Sequence, residues 1–349
     1  MQALNHTLLV QVTDTAPVAT DALKITLRAL HDQPVHYQAG QYLTFLISKN
    51  GKEFRRSYSL ITTPGVDLEM AIVIKRQPNG EVSRYLFDHV KTGDVFTSLH
   101  PAGRFTLLSN AAQPQTIFFL AAGSGISPVY ALVKDVLYHH PFIHIILVYQ
   151  NRNEAGTIFR DELRLLQQTF SKRFVLLQLF SEPAGTGSLP QRLNNNLLEQ
   201  LIGAQVFNMS NTVFYICGPE SFMRMSSFVL KYMGFSDTQI RRENFVVNFI
   251  PPVPLLTDTS PKTVTLRWQE RVFQFSVRYP QNLLQAALNN RINLPYSCRG
   301  GRCSACVVKC ISGEVMMSIN EVLTRQDLDE GYRLTCVGFA KTDLVLELE

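Results

Sequence analysis

The sequence predicts a multidomain chain: an antiparallel β-barrel, then an α/β domain with a parallel sheet, then a small α+β domain. Three observations carry this. Short alternating strand patterns broken by turn dipeptides fill the first hundred or so residues. Continuous apolar runs separated by helical patterns follow, and a cluster of cysteines lies beyond a proline-rich stretch. At 349 residues the chain is also too long for one compact core.

In the first region Leu23, Ile25 and Leu27 alternate with Lys24, Thr26 and Arg28, the period of a half-buried strand. Gly40-Gln41, Pro64-Gly65, Asn79-Gly80 and Thr92-Gly93-Asp94 read as turns between strands. Strands this short and this regularly spaced predict a small barrel over residues 1–110.

The texture changes near Gln113. Apolar runs at Thr116–Ala122, 144–149, Phe174–Phe180 and Thr212–Cys217 alternate with helical segments, the first of them over residues 128–137. Strands apolar on both faces belong to parallel sheets covered by helices, so residues 111–246 read as an α/β nucleotide-binding domain. Four prolines, Pro251, Pro252, Pro254 and Pro261, mark residues 247–261 as a linker. The α+β domain then runs over residues 262–349.

Composition excludes several function classes. Hydrophobic residues make up 46% and charged residues 17%, as in soluble globular proteins rather than disordered ones. The net charge is +5 without a Lys/Arg-dense run, so no nucleic-acid partner is expected. No apolar stretch is long enough to span a membrane. No Lys or Arg precedes Lys24, so the N-terminus lacks the pattern of an export signal and a cytoplasmic location is expected. Six cysteines in that compartment point to metal or redox chemistry rather than disulfides.

Cys298, Cys303, Cys306 and the distant Cys336 form C-x4-C-x2-C…C, the plant-type [2Fe–2S] spacing. Four thiolates must reach two irons, and the loop must turn its N–H groups toward bridging sulfides. Gly300 and Gly301 permit close backbone approach, and Arg299 and Arg302 can offset negative charge. The rival reading is a structural zinc site, but the second C-x2-C pair such sites use is missing. Cys310, on an apolar strand pattern, reads as core.

Two further sets of residues suit cofactor phosphates. Arg56-Ser57-Tyr58-Ser59 precedes Gly80-Glu81-Val82-Ser83 in the barrel region. Taken singly, Arg56 reads equally as a strand-edge charge and Gly80 as a hairpin glycine. In the second domain Gly123-Ser124-Gly125-Ile126-Ser127-Pro128 lies between a buried strand and a helix, with Pro128 suited to the helix's first turn. Cys217-Gly218-Pro219 follows another strand, and Glu243-Asn244-Phe245 ends the domain. The rival readings are a strand-end thiol for Cys217 and plain core for Phe245.

In this order the motifs resemble the ferredoxin–NADP reductase superfamily, and the last segment resembles plant-type ferredoxins. Residues 275–294 match the strand and helix before the cluster loop, and Leu334-Thr335-Cys336 the return strand. The whole arrangement is similar to three-domain reductase components of oxygenases. The resemblance implies that Tyr58 lies along a flavin ring, Ser59 hydrogen-bonds near flavin N5, and Arg56 pairs with a phosphate. It implies that Gly80, Val82 and Ser83 open a helix on the pyrophosphate, with Lys75 or Arg76 adding charge, which favours FAD over FMN. Gly123, Gly125, Ser127 and Pro128, with Cys217, Gly218 and Pro219, would hold the nicotinamide dinucleotide, Cys217 beside its C4. Phe245 would cover the flavin and Glu243 would tune N5, making Ser59, Cys217 and Glu243 the catalytic set.

One departure is charge. Residues 261–349 hold 11 Lys/Arg and 9 Asp/Glu, a net of +2, whereas free ferredoxins of this type are acidic. A tethered domain needs no electrostatic steering toward its reductase. The function implied is transfer of electrons from NADH, with NADPH as the alternative, through FAD and a [2Fe–2S] cluster to a protein acceptor such as an oxygenase or hydroxylase. NADH is expected because Ser181-Glu182 follows the strand Phe174–Phe180, and a carboxylate there suits a ribose hydroxyl over a 2′-phosphate. Arg152 and Arg192 are the opposing signals. The other readings are a stand-alone reductase of quinones, ferric chelates or a hybrid-cluster protein, and a non-catalytic redox sensor or assembly subunit.

Overall fold

The computed structural model describes residues 7–30, 34–49, 51–107, 116–183, 190–206, 208–245, 251–268 and 270–348. The chain folds into two compact units, Met1–Arg242 and Glu243–Glu349.

The first unit opens with the expected antiparallel barrel. Its elements are β1 (Thr7–Ala19), β2 (Ala22–Ala29), β3 (Tyr42–Lys49), β4 (Lys52–Ser59), β5 (Met70–Lys75), α1 (Glu81–His89) and β6 (Val95–Leu99). The strand order is β4-β3-β6-β1-β2-β5, with antiparallel pairing at each step. The two edges then meet: Leu60, just beyond β4, bridges Ile72 of β5, and the Ile61 N–H donates to the Ala71 carbonyl at 2.9 Å. This contact closes the barrel at one corner. Val10, Val12, Ile25, Leu27, Leu43, Phe45, Ile72 and Ile74 fill the interior.

Gly40, Gly65 and Gly93 have positive φ, as their turns require. Gly80 opens a helix, as the resemblance implied. Its φ is −86°, and it stands at the N-cap of α1 instead of in a hairpin turn.

The α/β elements are β7 (Thr116–Ala122), α2 (Ile126–His139), β8 (His144–Asn151), α3 (Arg160–Thr169), β9 (Phe174–Phe180), α4 (Asn195–Gln205), β10 (Thr212–Cys217), α5 (Glu220–Tyr232) and β11 (Ile240–Glu243). The sheet order β11-β10-β7-β8-β9 puts the first strand beside the fourth, with β10, β7, β8 and β9 parallel. Alternate side chains serve two cores. Phe119, Ala121, Tyr215 and Cys217 enter one; Phe118, Leu120, Phe214 and Ile216 enter the other. That is why β7 and β10 read as unbroken apolar runs.

The core under α2 also contains barrel residues Ala22, Ala39, Ile61, Ala71, Val73 and Phe105. Polar contacts follow the same seam. Thr63 Oγ1 donates to the Ala131 carbonyl at 2.8 Å, Tyr215 Oη to the Thr106 carbonyl at 3.1 Å, and Lys134 Nζ pairs with Asp67 at 2.5 Å. Helix α2 is therefore buried nearly all round, as a helix clasped between sheet and barrel must be. It begins two residues before the sequence pattern indicates, which leaves Pro128 within its first turn.

The second unit holds β12 (Lys262–Trp268), β13 (Arg271–Val277), α6 (Leu283–Asn289), β14 (Val307–Ser312), β15 (Val315–Met317), α7 (Arg325–Asp329), β16 (Tyr332–Leu334), β17 (Gly338–Ala340) and β18 (Leu344–Leu348). Its sheet has the order β13-β12-β18-β14-β16, with β12 and β18 parallel and the other pairs antiparallel. Leu283, Leu284 and Ala287 of α6 pack on Val264, Leu266, Val308 and Leu346 of the sheet. Residues 251–261 form no helix or strand.

Candidate redox site

In the parallel sheet, strand order reverses between β7 and β10, and the crevice beyond such a switch point is where open α/β sheets bind ligands. The two nicotinamide-type motifs flank this point. They are in direct contact, because a Cβ on Gly125 would lie 2.1 Å from the Cys217 carbonyl oxygen and 2.8 Å from the Gly218 nitrogen. A Cβ on Gly218 would in turn lie 2.9 Å from that of Ala122. Both glycines are required by this approach. Gly123 takes φ +55°, and its carbonyl accepts from Tyr149 Oη at 3.2 Å. Ser127, Pro128 and Cys217 are buried, and Pro219 caps α5.

On the barrel, the flavin-type residues lie on the strands that close it. Tyr58 pairs with Leu43, and its ring meets Phe45 edge-on at 5.9 Å. Burial raises its phenol pKa, so it stays neutral. Ser59 is 5% exposed and its Oγ has no hydrogen-bond partner among the described residues. A buried hydroxyl in that state is able to bond a polar ligand atom. Arg56 Nη1 donates to the Arg55 carbonyl at 2.8 Å and leaves the rest of its fork available to an anion.

At α1, a Cβ on Gly80 would fall 2.2 Å from Ser83 Oγ, so the glycine lets Ser83 fold back over the helix start. Val82 anchors the helix in the barrel core. The two cations expected beside this turn are already paired: Lys75 with Asp21 at 3.5 Å and Arg76 with Asp88 at 3.1 Å. From Ser59 only a few residues separate the barrel motif from Thr63, which bonds to α2, the helix opened by the Gly-rich turn. The seam thus carries both motifs.

In the second unit the cysteine loop runs from the end of α6 to β14. Arg299, Gly301 and Ser304 have positive φ, at 53°, 72° and 51°, which coils the backbone around its own thiols. The Gly300 N–H donates to Cys298 Sγ at 3.3 Å and the Cys298 N–H to Cys303 Sγ at 3.4 Å. The return strand is pinned by Thr335, whose N–H and Oγ1 both donate to the Cys306 carbonyl, at 3.0 and 3.1 Å. Gly301 is needed for a reason the sequence does not reveal. A Cβ there would lie 2.8 Å from the Ile319 side chain and 3.0 Å from its carbonyl.

The four thiols close in twos. Cys303 hydrogen-bonds to Cys298 and lowers that thiol to about 6, helped by the N–H groups of Gly300, Arg302 and Cys303 against burial. Cys336 hydrogen-bonds to Cys306 and lowers it likewise. Among the described residues no three such side chains converge on a single ion. Four thiols closed in two pairs offer the four thiolate ligands a [2Fe–2S] centre takes.

Cys310 is half-buried on β14, its thiol donating to the Ser312 carbonyl at 3.5 Å. Arg299 is exposed with its guanidinium 4.3 Å from the Tyr296 ring centroid, whereas Arg302 turns inward to pair with Glu321 at 2.9 Å. Nothing in the sequence signalled Glu321. Glu243 is buried at the end of β11, and Phe245 is 40% exposed.

Comparison with known proteins agrees with this geometry. An oxidoreductase FAD-binding domain model matches residues 9–107, an oxidoreductase NAD-binding domain model residues 119–227, and a 2Fe-2S iron-sulfur cluster binding domain model residues 266–341. One component of the 1,2-phenylacetyl-CoA epoxidase of Escherichia coli is 31% identical over 94% of both chains. The ferredoxin reductase component of 3-ketosteroid-9-alpha-monooxygenase from Mycobacterium tuberculosis is 30% identical over 89% of this chain and 85% of its own. The fold is that of phthalate dioxygenase reductase, at 22% identity, a TM-score of 0.60 and 98% coverage of both chains. No helix among the described residues is long and apolar enough to cross a membrane. The chain belongs to the three-domain iron–sulfur flavoprotein reductases of the ferredoxin–NADP reductase superfamily: it is an NAD(P)H-dependent oxidoreductase with FAD-binding, NAD-binding and [2Fe–2S] domains.

Proposed function

We propose that the chain is the reductase component of an oxygenase or hydroxylase system, with NADH as its preferred donor and residence in the cytoplasm. The observation that carries the reading is one chain holding both a glycine-closed nicotinamide crevice and a loop of paired thiols. Several relatives that match nearly its whole length bear names of oxygenase components, whereas one from Escherichia coli is named an NADH oxidoreductase. A reducing compartment suits thiols kept ready for a cluster. Domain limits at 1–110, 111–246 and 262–349, with 247–261 as linker, accord with the domain matches.

Bound FAD and [2Fe–2S] together turn a two-electron hydride into single electrons. The chain's own residues bind, orient and insulate. Gly123, Gly125, Ser127 and Pro128 hold the dinucleotide against Gly218 and Pro219, with Cys217 at the floor beside nicotinamide C4. With flavin bound, Ser59 Oγ would hydrogen-bond near N5 and Tyr58 would lie along the ring. Arg56, Gly80, Val82 and Ser83 hold the phosphates, with Lys75 a second-rank candidate because Asp21 already pairs with it. Glu243 tunes the N5 region and Phe245 covers the flavin. Cys298, Cys303, Cys306 and Cys336 would hold the cluster.

The test is an acceptor profile of the purified holoprotein with NADH. Fast reduction of an isolated oxygenase component, with slow reduction of quinones and ferric chelates, is expected. The reverse order would make it a stand-alone reductase.

A further inference from the structure

The cluster loop carries a buried charge whose partner lies outside the loop. Arg302, immediately before Cys303, has a side chain only 5% exposed, and its Nη2 donates to Glu321 Oε1 at 2.9 Å. The Glu321 side chain is 28% exposed, and its other oxygen, Oε2, accepts from Nδ2 of the buried Asn244 at 2.7 Å. Backbone bonds hold this carboxylate in register with the loop. The Glu321 N–H donates to the Gly301 carbonyl at 3.1 Å, and beside it Asn320 Oδ1 accepts the Leu323 N–H at 2.9 Å. Every one of these residues belongs to the second unit.

Stability alone does not account for the pair. Burying a guanidinium and a carboxylate costs desolvation that their attraction roughly offsets, and an apolar pair of similar volume often serves a fold as well. A redox centre puts such charges to another use. A [2Fe–2S] cluster gains one negative charge with each electron it accepts, so fixed charges around it shift the balance between its oxidised and reduced forms. Arg302 by itself would favour the reduced form and so retain the electron. Glu321, tied into the same loop, opposes it with an equal and opposite charge.

We propose that Glu321 is a positioning residue for the cluster: it fixes Arg302, cancels its charge, and thereby keeps the reduced centre a ready electron donor. Asn244 orients the second carboxylate oxygen and so holds the charge in place. The proposal rests on the reductase reading and states which way the cluster is biased within it. The step concerned is a single electron transfer. The reduced cluster gives one electron to a one-electron acceptor in the oxygenase component and returns to its oxidised form, with no bond made or broken.

The test is the cluster's midpoint potential in the iron-loaded holoprotein. A mediated dithionite titration at about pH 8, well above the ordinary carboxyl range, is followed by electron paramagnetic resonance of the reduced centre, so neither NADH nor an acceptor is needed. Glu321→Gln leaves Arg302 an acceptor but removes the charge. It should favour the reduced form about tenfold, a rise of about 59 mV for one electron. Arg302→Gln should move the potential the other way by a similar amount, and the double variant should return toward the parent. Glu321→Asp, which keeps the charge, should stay near the parent. A Glu321→Gln equilibrium within about twofold of the parent overturns the proposal, since a unit charge so close must be felt. So do single variants that shift in the same direction, or a Glu321→Asp shift as large as that of Glu321→Gln, because either marks distortion of the loop rather than loss of charge. If Arg302→Gln takes up no iron, the comparison of Gln with Asp at position 321 decides. Failure of NADH to reduce the parent flavin would instead overturn the reductase reading, with the titrations still judging the charge pair.

Discussion

Gly125→Ala should impair hydride transfer while leaving flavin and cluster in place. The added Cβ would stand 2.1 Å from the Cys217 carbonyl oxygen and 2.4 Å from its carbon, both backbone atoms of a fully buried strand end. Ordinary contact begins at about 3.4 Å, so one of the two loops must retreat by about 1.3 Å. Neither can swing aside as a side chain would. The strand on one side pairs with β7 through Cys217 and Ala121, and the helix on the other is buried nearly all round. The displacement falls in the crevice where nicotinamide must stack. A shift of that size costs about a hundredfold in rate, or roughly 2.7 kcal/mol of barrier. Stopped-flow flavin reduction across a range of NADH concentrations gives the limiting rate and the apparent affinity. The expected result is a large loss in limiting rate with unchanged flavin and iron content. A variant within twofold of the parent would show that the loops separate freely and that their contact does not define the site.

Cys303→Ser should abolish iron and sulfide binding yet preserve flavin reduction by NADH, because the motifs at 56–59, 80–83, 123–128 and 217–219 lie in the first unit; metal analysis checks it, and zinc in the parent in place of iron would contradict the assignment. Arg56→Ala should lose flavin on desalting, since it removes a charge-assisted bond to phosphate, and full retention would leave Arg56 a surface charge. Glu182→Arg should raise kcat/KM for NADPH relative to NADH by about tenfold, as removing a carboxylate removes repulsion of a 2′-phosphate. The Glu182 N–H donates to the Arg152 carbonyl at 2.7 Å, placing both residues at one sheet end. A parent enzyme already favouring NADPH would defeat that proposal.

Features governed by neighbours in sequence were readable before the fold was known. Leu23, Ile25 and Leu27 announced a strand, and the thiol spacing announced its centre, because both depend on a few consecutive residues. Gly80 at the opening of a helix was legible through the resemblance, but the approach of Ser83 Oγ that excludes a Cβ there depends on the folded turn. Lys75 and Arg76 looked available until the fold brought Asp21 and Asp88 beside them. Arg302 looked like a counter-charge to the cluster until Glu321 met it. Closure of the barrel through Leu60 and Ile72, and the Asn244–Glu321 bond, join residues whose proximity no local pattern encodes.

The core that α2 shares with the barrel has a consequence for heredity as well as for stability. A fragment ending near residue 107 would bare Ile61, Ala71, Val73 and Phe105 to water, and Thr63 and Asp67 would lose their partners on α2. Such a fragment would aggregate or collapse, so barrel and parallel sheet can be inherited, shuffled or truncated only as a pair. Gene fusion and domain loss acting on this chain therefore have one indivisible cassette there, and a recombination break inside it would be eliminated at the level of folding, before any electron is transferred.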